Sequence, residues 1–244
     1  KRGGAYSSGF FDTKPYVLLN FEGKYDDVST LAHELGHSMH TYYSCKNNTY
    51  NNSSYNIFVA EVASTVNELL LSNYLIKNAK SLEEKKFLIN QQLELYKSTI
   101  YRQVMFAEFE KDMHSDYEKG EILTHEYLCT KYYELVKRYF GDGVVVDDLI
   151  KNEWMRIPHF YYNFYVYKYA VGLSCATKIV NGILSGNKEA RDSYLNFLKT
   201  GGSDYPANEL LVANVDVLDE NLYKEAIQTF DRLIDEYKEL EKRR

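Results

Sequence analysis

The chain has 244 residues, a formal net charge of −6 and no long basic run, which argues against nucleic acid as its main partner. Its three cysteines are far apart and show no CxxC spacing, so neither a disulfide framework nor a thiolate zinc site is predicted, and the cytoplasm is the expected location. No apolar stretch approaches the roughly 18 residues that a membrane span needs, so no membrane partner is expected.

Two short strands are predicted at the start of the chain. Residues 5–10 and 16–22 carry strand patterns, with a turn expected between them at 12–15. Nearly everything after Gly23 is predicted to be helical. The expected fold is therefore mainly α with a small N-terminal β-sheet, arranged as one domain over residues 1–244.

The first predicted helix carries the stretch LAHELGHSMH, residues 31–40. Asp26 or Asp27 is expected to cap its start. Apolar residues recur along it at three- and four-residue steps: Val28, Leu31, Ala32, Leu35 and Met39. This spacing predicts an amphipathic helix.

Three polar residues of this helix match the HExxH pattern: His33, Glu34 and His37. The two histidines stack one helical turn apart, and Glu34 lies about 100° around from His33, so all three can face one cleft. Neutral imidazoles at this spacing can bind one Zn²⁺ and leave a position for water. Glu34 is then placed to take a proton from that water as general base. The alternative is a pair of histidines satisfied in a core without metal.

The second predicted helix, residues 57–79, supplies the best candidate for a third ligand. Glu61 lies in the apolar stretch FVAEVASTVNELLL, where an ionised carboxylate is costly unless it is paired or coordinated. Glu68 falls on the same face two turns further on and is a candidate acceptor for a hydrogen bond from a ligand imidazole. The alternative for both residues is simple exposure to solvent. His40 shares a face with His33 and either supports the ligands in the same way or is a satisfied histidine near the helix end.

Further helices are predicted at 82–118, 121–139, 160–184, 187–199 and 220–242, the last behind an Asp219 cap. The stretch WMRIPHFYYNFYVYKYA, residues 154–170, adds His159 and a dense run of aromatic residues. Neutral imidazole and tyrosine hydroxyl groups can stabilise the oxyanion of a tetrahedral intermediate. The alternative is an aromatic helix face packed as core, and spacing alone does not choose among the tyrosines.

Five stretches, in this order, are similar to the thimet oligopeptidase and oligoendopeptidase F family of zinc peptidases, with oligoendopeptidase F as the nearer branch: KRGGAYSSG, TLAHELGHSMH, AEVASTVNE, RIPHFYYNFYVYKYA and LKTGGSDYP. The resemblance covers nearly the whole chain. It implies an HExxH zinc-peptidase, or zincin-like, catalytic domain with one Zn²⁺ per chain. It places the metal ligands at His33, His37 and Glu61 and the general base at Glu34.

The resemblance also implies the groups that stabilise the oxyanion. The family's histidine falls on His159, and one catalytic tyrosine falls on Tyr167 by its place in the FYVYKY run. The other falls on Tyr162 or Tyr161, of which Tyr162 is preferred. Thimet-type members carry a glycine-rich loop before this run, whereas this chain has no glycine between residues 143 and 172.

The predicted substrates are short peptides. In the family an extended peptide pairs with a strand edge, which the opening GGAYSSG would supply, with Gly4 and Ala5 as substrate contacts and Gly3 and Gly4 allowing close backbone approach. Tyr161 is expected to contact the substrate. The predicted function is thus a zinc endopeptidase that uses zinc-bound water activated by Glu34.

Three alternatives compete with this function. Family members are larger than this chain, so it could be a truncated zinc- and peptide-binding fragment with little turnover. A helical scaffold without metal and a zinc hydrolase of non-peptide amides are the others. The oligomeric state is unknown from the sequence.

Overall fold

The computed structural model describes residues 4–243, so Gly3 lies outside the described residues. Contacts divide the chain into two compact units. Unit 1 holds residues 4–95 and 171–243 of the described chain, and unit 2 is Tyr96–Ala170. No helix within residues 4–243 is both long and apolar enough to cross a membrane.

Unit 1 begins with the predicted hairpin. Strand β1 (Ala5–Ser8) pairs antiparallel with β2 (Tyr16–Leu19), and Ala5 lies opposite Leu19. The turn between them contains Asp12 with a positive φ of 62°, a conformation that aspartate tolerates. Both strands are confirmed, and both are shorter than the sequence predicts.

Helix α1 (Tyr25–Asn47) follows the hairpin and carries the HExxH residues. Its N-cap residue is Lys24, so the predicted cap at Asp26 or Asp27 is wrong in position. Asp27 nevertheless holds the helix start from within the first turn. Its carboxylate accepts hydrogen bonds from the backbone N–H groups of Glu22 at 2.8 Å and Lys24 at 2.9 Å.

The other helices follow in the order α2 (Ile57–Lys77), α3 (Leu82–Tyr96), α4 (Arg102–Glu118), α5 (His125–Phe140), α6 (Tyr167–Leu184), α7 (Lys188–Phe197), α8 (Pro206–Val212) and α9 (Glu220–Glu241). A π-helical segment, Lys97–Tyr101, separates α3 from α4, where a single helix was predicted. Helix α8 was not predicted. Asp219 caps α9 as expected, because its side chain accepts a hydrogen bond from the N–H of Asn221 at 2.9 Å.

The predicted helix at 160–184 is wrong in its first turns. Residues Pro158–Tyr161 form a 3₁₀ turn, and α6 begins only at Tyr167. Asn163 and Phe164 between them have left-handed φ values of 45° and 54°. A right-handed helix cannot continue through such residues.

Helix α1 packs with its polar side inward. Its buried residues are Glu34, Gly36, His40 and Ser44. Four residues of its apolar stripe are instead 36% to 46% exposed: Val28, Leu31, Leu35 and Met39. A Cβ atom built on Gly36 would lie 2.5 Å from Ser64 Cα on α2. The missing side chain therefore lets α1 approach α2 closely, which turns the HExxH side of the helix towards α2.

Unit 2 has a core of its own. Aromatic residues of α4 and α5 lie at its centre, where Phe106, Phe109 and Tyr132 are at most 4% exposed. A 3₁₀ segment, Asp148–Arg156, adds Trp154 at the edge of this core. Unit 2 also contains His159 and the tyrosine-rich stretch, whereas the HExxH residues belong to unit 1.

Candidate metal centre

His33, His37 and Glu61 bring three potential ligand atoms together in unit 1. The two imidazole Nε2 atoms lie 3.1 Å apart. Glu61 Oε2 lies 3.4 Å from His33 Nε2 and 3.8 Å from His37 Nε2. Two donors that each bind a tetrahedral Zn²⁺ at 2.0–2.1 Å are separated by roughly 3.3 Å. The three residues therefore fit one zinc ion in both donor type and spacing.

Two helices position these ligands. His33 and His37 lie on successive turns of α1, and Glu61 lies near the start of α2. Besides the close approach at Gly36, a hydrogen bond fixes the register of the pair, because Asn67 Nδ2 donates to the Ala32 carbonyl at 3.2 Å. The geometry of the three ligands thus depends on the contact between α1 and α2.

Glu68 contacts the first candidate ligand, His33. Its Oε1 atom forms a short hydrogen bond with His33 Nδ1, on the side of the ring away from His37. Burial lowers the pKa of His33, but the hydrogen bond and charge of Glu68, together with the charges of Glu61 and Glu34, outweigh burial and leave this pKa raised. A carboxylate at Nδ1 fixes the proton there and leaves Nε2 with a lone pair for a metal.

Removal of this carboxylate is expected to weaken metal binding. We expect Glu68→Ala to raise the Kd for Zn²⁺ by about 10–100-fold, because the His33 ring loses the partner that orients it. Competition with a chromophoric chelator measures this Kd. Glu83→Gln, which removes a carboxylate charge from the exposed start of α3, serves as the control and should bind zinc as wild type does. Equal Kd values for Glu68→Ala and wild type would contradict the supporting role.

Glu34 is buried next to the ligands, with 6% of its surface exposed. Burial raises the pKa of its carboxyl group, while His33 and a hydrogen bond from the Ser7 backbone act in the opposite direction. Glu34 does not belong to the group of converging ligand atoms. The structure therefore separates Glu34 from the three converging donor atoms.

His40 lies fully buried on α1 without polar contacts. Its ring stacks on Tyr55 at 3.7 Å and packs against Phe197 at 5.2 Å. Neither ring nitrogen has a hydrogen-bond partner among residues 4–243, so no hydrogen bond links it to a ligand imidazole there. Burial lowers the pKa of His40 to about 3.

This buried imidazole predicts acid sensitivity of the metal-free fold. The unfolded chain gains a proton at His40 as the pH falls through 6.5, whereas the folded chain gains it only near 3. The free energy of unfolding should therefore decrease as the pH is lowered from about 6.5 towards about 3, by up to about 1.4 kcal/mol per pH unit. Urea unfolding at about pH 7 and about pH 5 in chelator measures the loss. His40→Leu should make the decrease in stability between these two pH values smaller. A decrease as large as that of wild type would show that His40 is not its cause.

A cleft lies beside the end of β1 in unit 1. It has a volume of about 640 Å³ and is lined by residues 7–11, by Thr41 and Cys45 of α1, and by residues 50, 51 and 53–55. Ser7 Oγ hydrogen-bonds Ser38 Oγ of α1 at 2.9 Å, which holds β1 along the HExxH helix. Gly4 precedes β1 with a positive φ of 122°, and Ala5 begins the strand.

In unit 2, His159 is surrounded by tyrosine rings. Its Nε2 atom lies 3.1 Å from the Tyr169 hydroxyl, and its ring packs against Tyr162 at 6.2 Å and Tyr165 at 5.5 Å. Tyr162 is 63% exposed, whereas Tyr169 is only partly exposed. Sequence reasoning did not single out Tyr169, because nothing in the spacing sets it apart from its neighbours.

The other two tyrosines named from the sequence also lie at the surface. Tyr161 is 84% exposed at the end of the 3₁₀ turn, and Tyr167 is 40% exposed at the start of α6. The structure therefore groups Tyr162 with His159 by ring contact and leaves the roles of Tyr161 and Tyr167 as predictions.

Two histidines one helical turn apart, a carboxylate from the next helix and a buried glutamate between the histidines form the arrangement typical of HExxH metallopeptidases. Comparison with known proteins agrees with this class. The sequence profile of Peptidase family M3 matches residues 1–242, and the chain belongs to this family.

Individual relatives match almost the whole chain. Oligopeptidase PepF of Bacillus subtilis (strain 168) is 48% identical over 240 residues, which are 98% of this chain and 36% of that protein. The structure of a Chlamydophila abortus protein superposes with a TM-score of 0.90 at 45% identity and covers 98% of this chain and 40% of that one. Oligoendopeptidase-F from Enterococcus faecium superposes with a TM-score of 0.81 at 41% identity, over 90% of this chain and 40% of that one. The chain thus spans well under half the length of these relatives.

Proposed function

We propose that the chain is a zinc-dependent endopeptidase catalytic domain that hydrolyses short peptides. The observation that carries this proposal is the convergence of His33, His37 and Glu61, with donor spacings that suit tetrahedral zinc, beside the buried carboxylate of Glu34. Family membership supports the same reaction class.

The three ligands would hold one Zn²⁺ per chain, and that ion would supply Lewis-acid chemistry and lower the pKa of water. Glu34 takes a proton from the attacking water and returns it to the leaving amine. Burial, which raises the pKa of Glu34, favours this role because the group holds a proton more readily than an exposed carboxylate does.

For His159, Tyr162 and Tyr167 we propose the role of hydrogen-bond donors to the oxyanion. Imidazole N–H and phenol O–H groups are neutral donors, and loss of one such donor costs roughly 3–4 kcal/mol of barrier. The ring contact between His159 and Tyr162 supports joint action of these two residues.

The peptide substrate is proposed to extend along β1. A two-stranded sheet leaves one edge of β1 without a strand partner among the described residues, and backbone pairing at such an edge binds peptides without regard to their side chains. Gly4 and Ala5 lie at the start of this edge, and Tyr161 is a further proposed contact.

A cytoplasmic location remains part of the proposal and is supported by three cysteines that are all free thiols. Nothing in the comparisons favours a binding fragment with little turnover.

Metal removal and restoration test the proposed function. We expect purified chain to contain about one zinc and to cleave an internally quenched peptide. Dialysis against a chelator should abolish cleavage, and added Zn²⁺ should restore it. Cleavage that persists in metal-free protein, or a restored zinc content without any cleavage, would contradict the proposal.

A further inference from the structure

Unit 2 contains a strained backbone turn at residues 163–164, within the tyrosine-rich stretch. Asn163 and Phe164 both adopt left-handed φ values, of 45° and 54°. Asparagine tolerates this conformation, but it is a clear outlier for a bulky residue such as phenylalanine. No glycine lies between residues 143 and 172 to relieve the turn. Such a conformation persists only where the surrounding structure holds it.

Glu110 on α4 contacts the strained turn. Its side chain is fully buried, and its Oε1 atom accepts a hydrogen bond from the backbone N–H of Phe164 at 2.6 Å. A hydrogen bond to a buried carboxylate is stronger than one between neutral groups. One helical turn further along α4, the ring of His114 packs against the ring of Phe164 at 4.7 Å. Helix α4 therefore contacts both the backbone and the side chain of the strained residue.

This turn determines where the rings around His159 lie. Tyr162 precedes the turn and Tyr165 follows it, and both rings contact His159. They also contact each other, with centroids 6.2 Å apart. A chain that relaxed to ordinary backbone at 163–164 would send Tyr165 in another direction and break this group.

The complete burial of the Glu110 carboxylate is energetically unfavourable unless its oxygen atoms are hydrogen-bonded. The second oxygen of Glu110, Oε2, has no hydrogen-bond partner among residues 4–243. Burial of a carboxylate with one oxygen unsatisfied is costly, so packing alone does not explain the residue. Within residues 4–243, its one hydrogen bond goes to Phe164 in the strained turn.

We propose that Glu110 is a positioning residue, which holds the left-handed turn at 163–164 and thereby keeps Tyr162 and Tyr165 against His159. The effect on catalysis rests on the proposed function, in which His159 and Tyr162 act on the oxyanion. The effect on the turn does not depend on it.

The first test compares Glu110→Ala with Glu110→Gln. Glutamine keeps an oxygen that can accept the Phe164 N–H, whereas alanine has none. We expect hydrogen exchange in the segment 160–167 to speed up by at least about tenfold in Glu110→Ala and to change much less in Glu110→Gln. We expect kcat to fall by roughly 10–100-fold in Glu110→Ala, with a smaller change in KM, because catalytic groups lose their orientation.

The chain provides its own control for folding. Trp154 is the single tryptophan and packs against Phe109 in the core of unit 2. Its emission spectrum and unfolding transition should stay close to those of wild type in both variants. A change in Trp154 emission in Glu110→Ala would mean that the core itself is disturbed, and it would contradict a role of Glu110 confined to the turn.

A rescue experiment separates positioning from packing. In the Glu110→Ala background, Phe164→Gly places a residue that adopts positive φ at no steric cost, whereas Phe164→Ala removes the same ring and keeps the steric penalty. We expect kcat to recover at least in part with glycine and not with alanine. A role of Glu110 in packing alone would give no difference between these two double variants.

The outcomes distinguish this proposal from the proposed function. Unchanged exchange at 160–167 in Glu110→Ala would overturn the hold on the turn, whatever the activity. Faster exchange with wild-type kcat would overturn the positioning role. If the wild type cleaved no peptide, the proposed function would fail, and the exchange and Trp154 measurements would still decide whether Glu110 holds the turn.

Discussion

Glu34→Gln is expected to lower kcat for peptide cleavage by about 10²–10⁴-fold while the chain keeps its zinc. The side chain is buried on the inward side of α1 and is not one of the three converging ligands. Glutamine has nearly the same shape but cannot accept the proton of the attacking water. The loss should therefore appear in turnover and not in metal content or stability. Single-turnover cleavage and elemental analysis of the same preparation measure both quantities.

His37→Ala provides the contrast to this variant. It removes one of the two imidazoles whose Nε2 atoms lie 3.1 Å apart, so both zinc and activity should be lost. The pair of variants separates proton transfer from metal binding. A Glu34→Gln enzyme with bound zinc and wild-type turnover would show that another group is the general base, and an inactive Glu34→Gln chain without zinc would assign this residue to the metal site instead.

The HExxH helix could be predicted from sequence because its signal is local. His33 and His37 need only helical periodicity to share a face, and α1 forms over residues that include them both. Glu61 was a weaker inference, based on the cost of an ionised carboxylate in an apolar helix. The structure brings its Oε2 atom to 3.4 Å from His33 Nε2, which sequence spacing alone could not have shown.

The orientation of α1 could not be predicted in the same way. Its apolar residues indicate which side of an isolated helix would be buried, yet Leu35 and Met39 are 46% and 41% exposed. The deciding residue is Gly36, which contributes nothing to an apolar pattern but permits the close contact with Ser64. Tertiary contact outweighs amphipathic pattern here, because the close approach to α2 is possible only on the side of α1 that carries Gly36.

The prediction of a helix at 160–184 was wrong in its first turns for a related reason. Asn163 and Phe164 give no strong sequence signal for left-handed backbone, since phenylalanine normally avoids it. The backbone N–H of Phe164 is bound by Glu110, which lies 54 positions earlier in the chain. Local propensity contains no information about a partner at that distance.

Gly36→Ala is expected to destabilise the chain, although the same change in a helix interior usually stabilises. Alanine is favoured over glycine there by up to about 1 kcal/mol. At this position the new Cβ would lie 2.6 Å from the Ala63 carbonyl oxygen and 2.5 Å from Ser64 Cα, both of which belong to the α2 backbone. Backbone atoms cannot rotate away as a flexible side chain can, so the two helices must separate. We expect a loss of about 1–3 kcal/mol of unfolding free energy and a much weaker affinity for zinc.

Gly172→Ala is the matched control, because Gly172 also lies in a helix interior. Its built Cβ would meet only the Glu61 side chain, at an ordinary 3.7 Å, so this variant should be as stable as wild type or slightly more stable. Denaturant unfolding of the three metal-free proteins gives the stabilities, and zinc titration gives the affinities. Opposite signs for the two substitutions would show that the contact between α1 and α2, and not helix propensity, sets the geometry of the three ligands. A Gly36→Ala chain that is stabilised and binds zinc normally would mean that the ligands do not depend on this close approach.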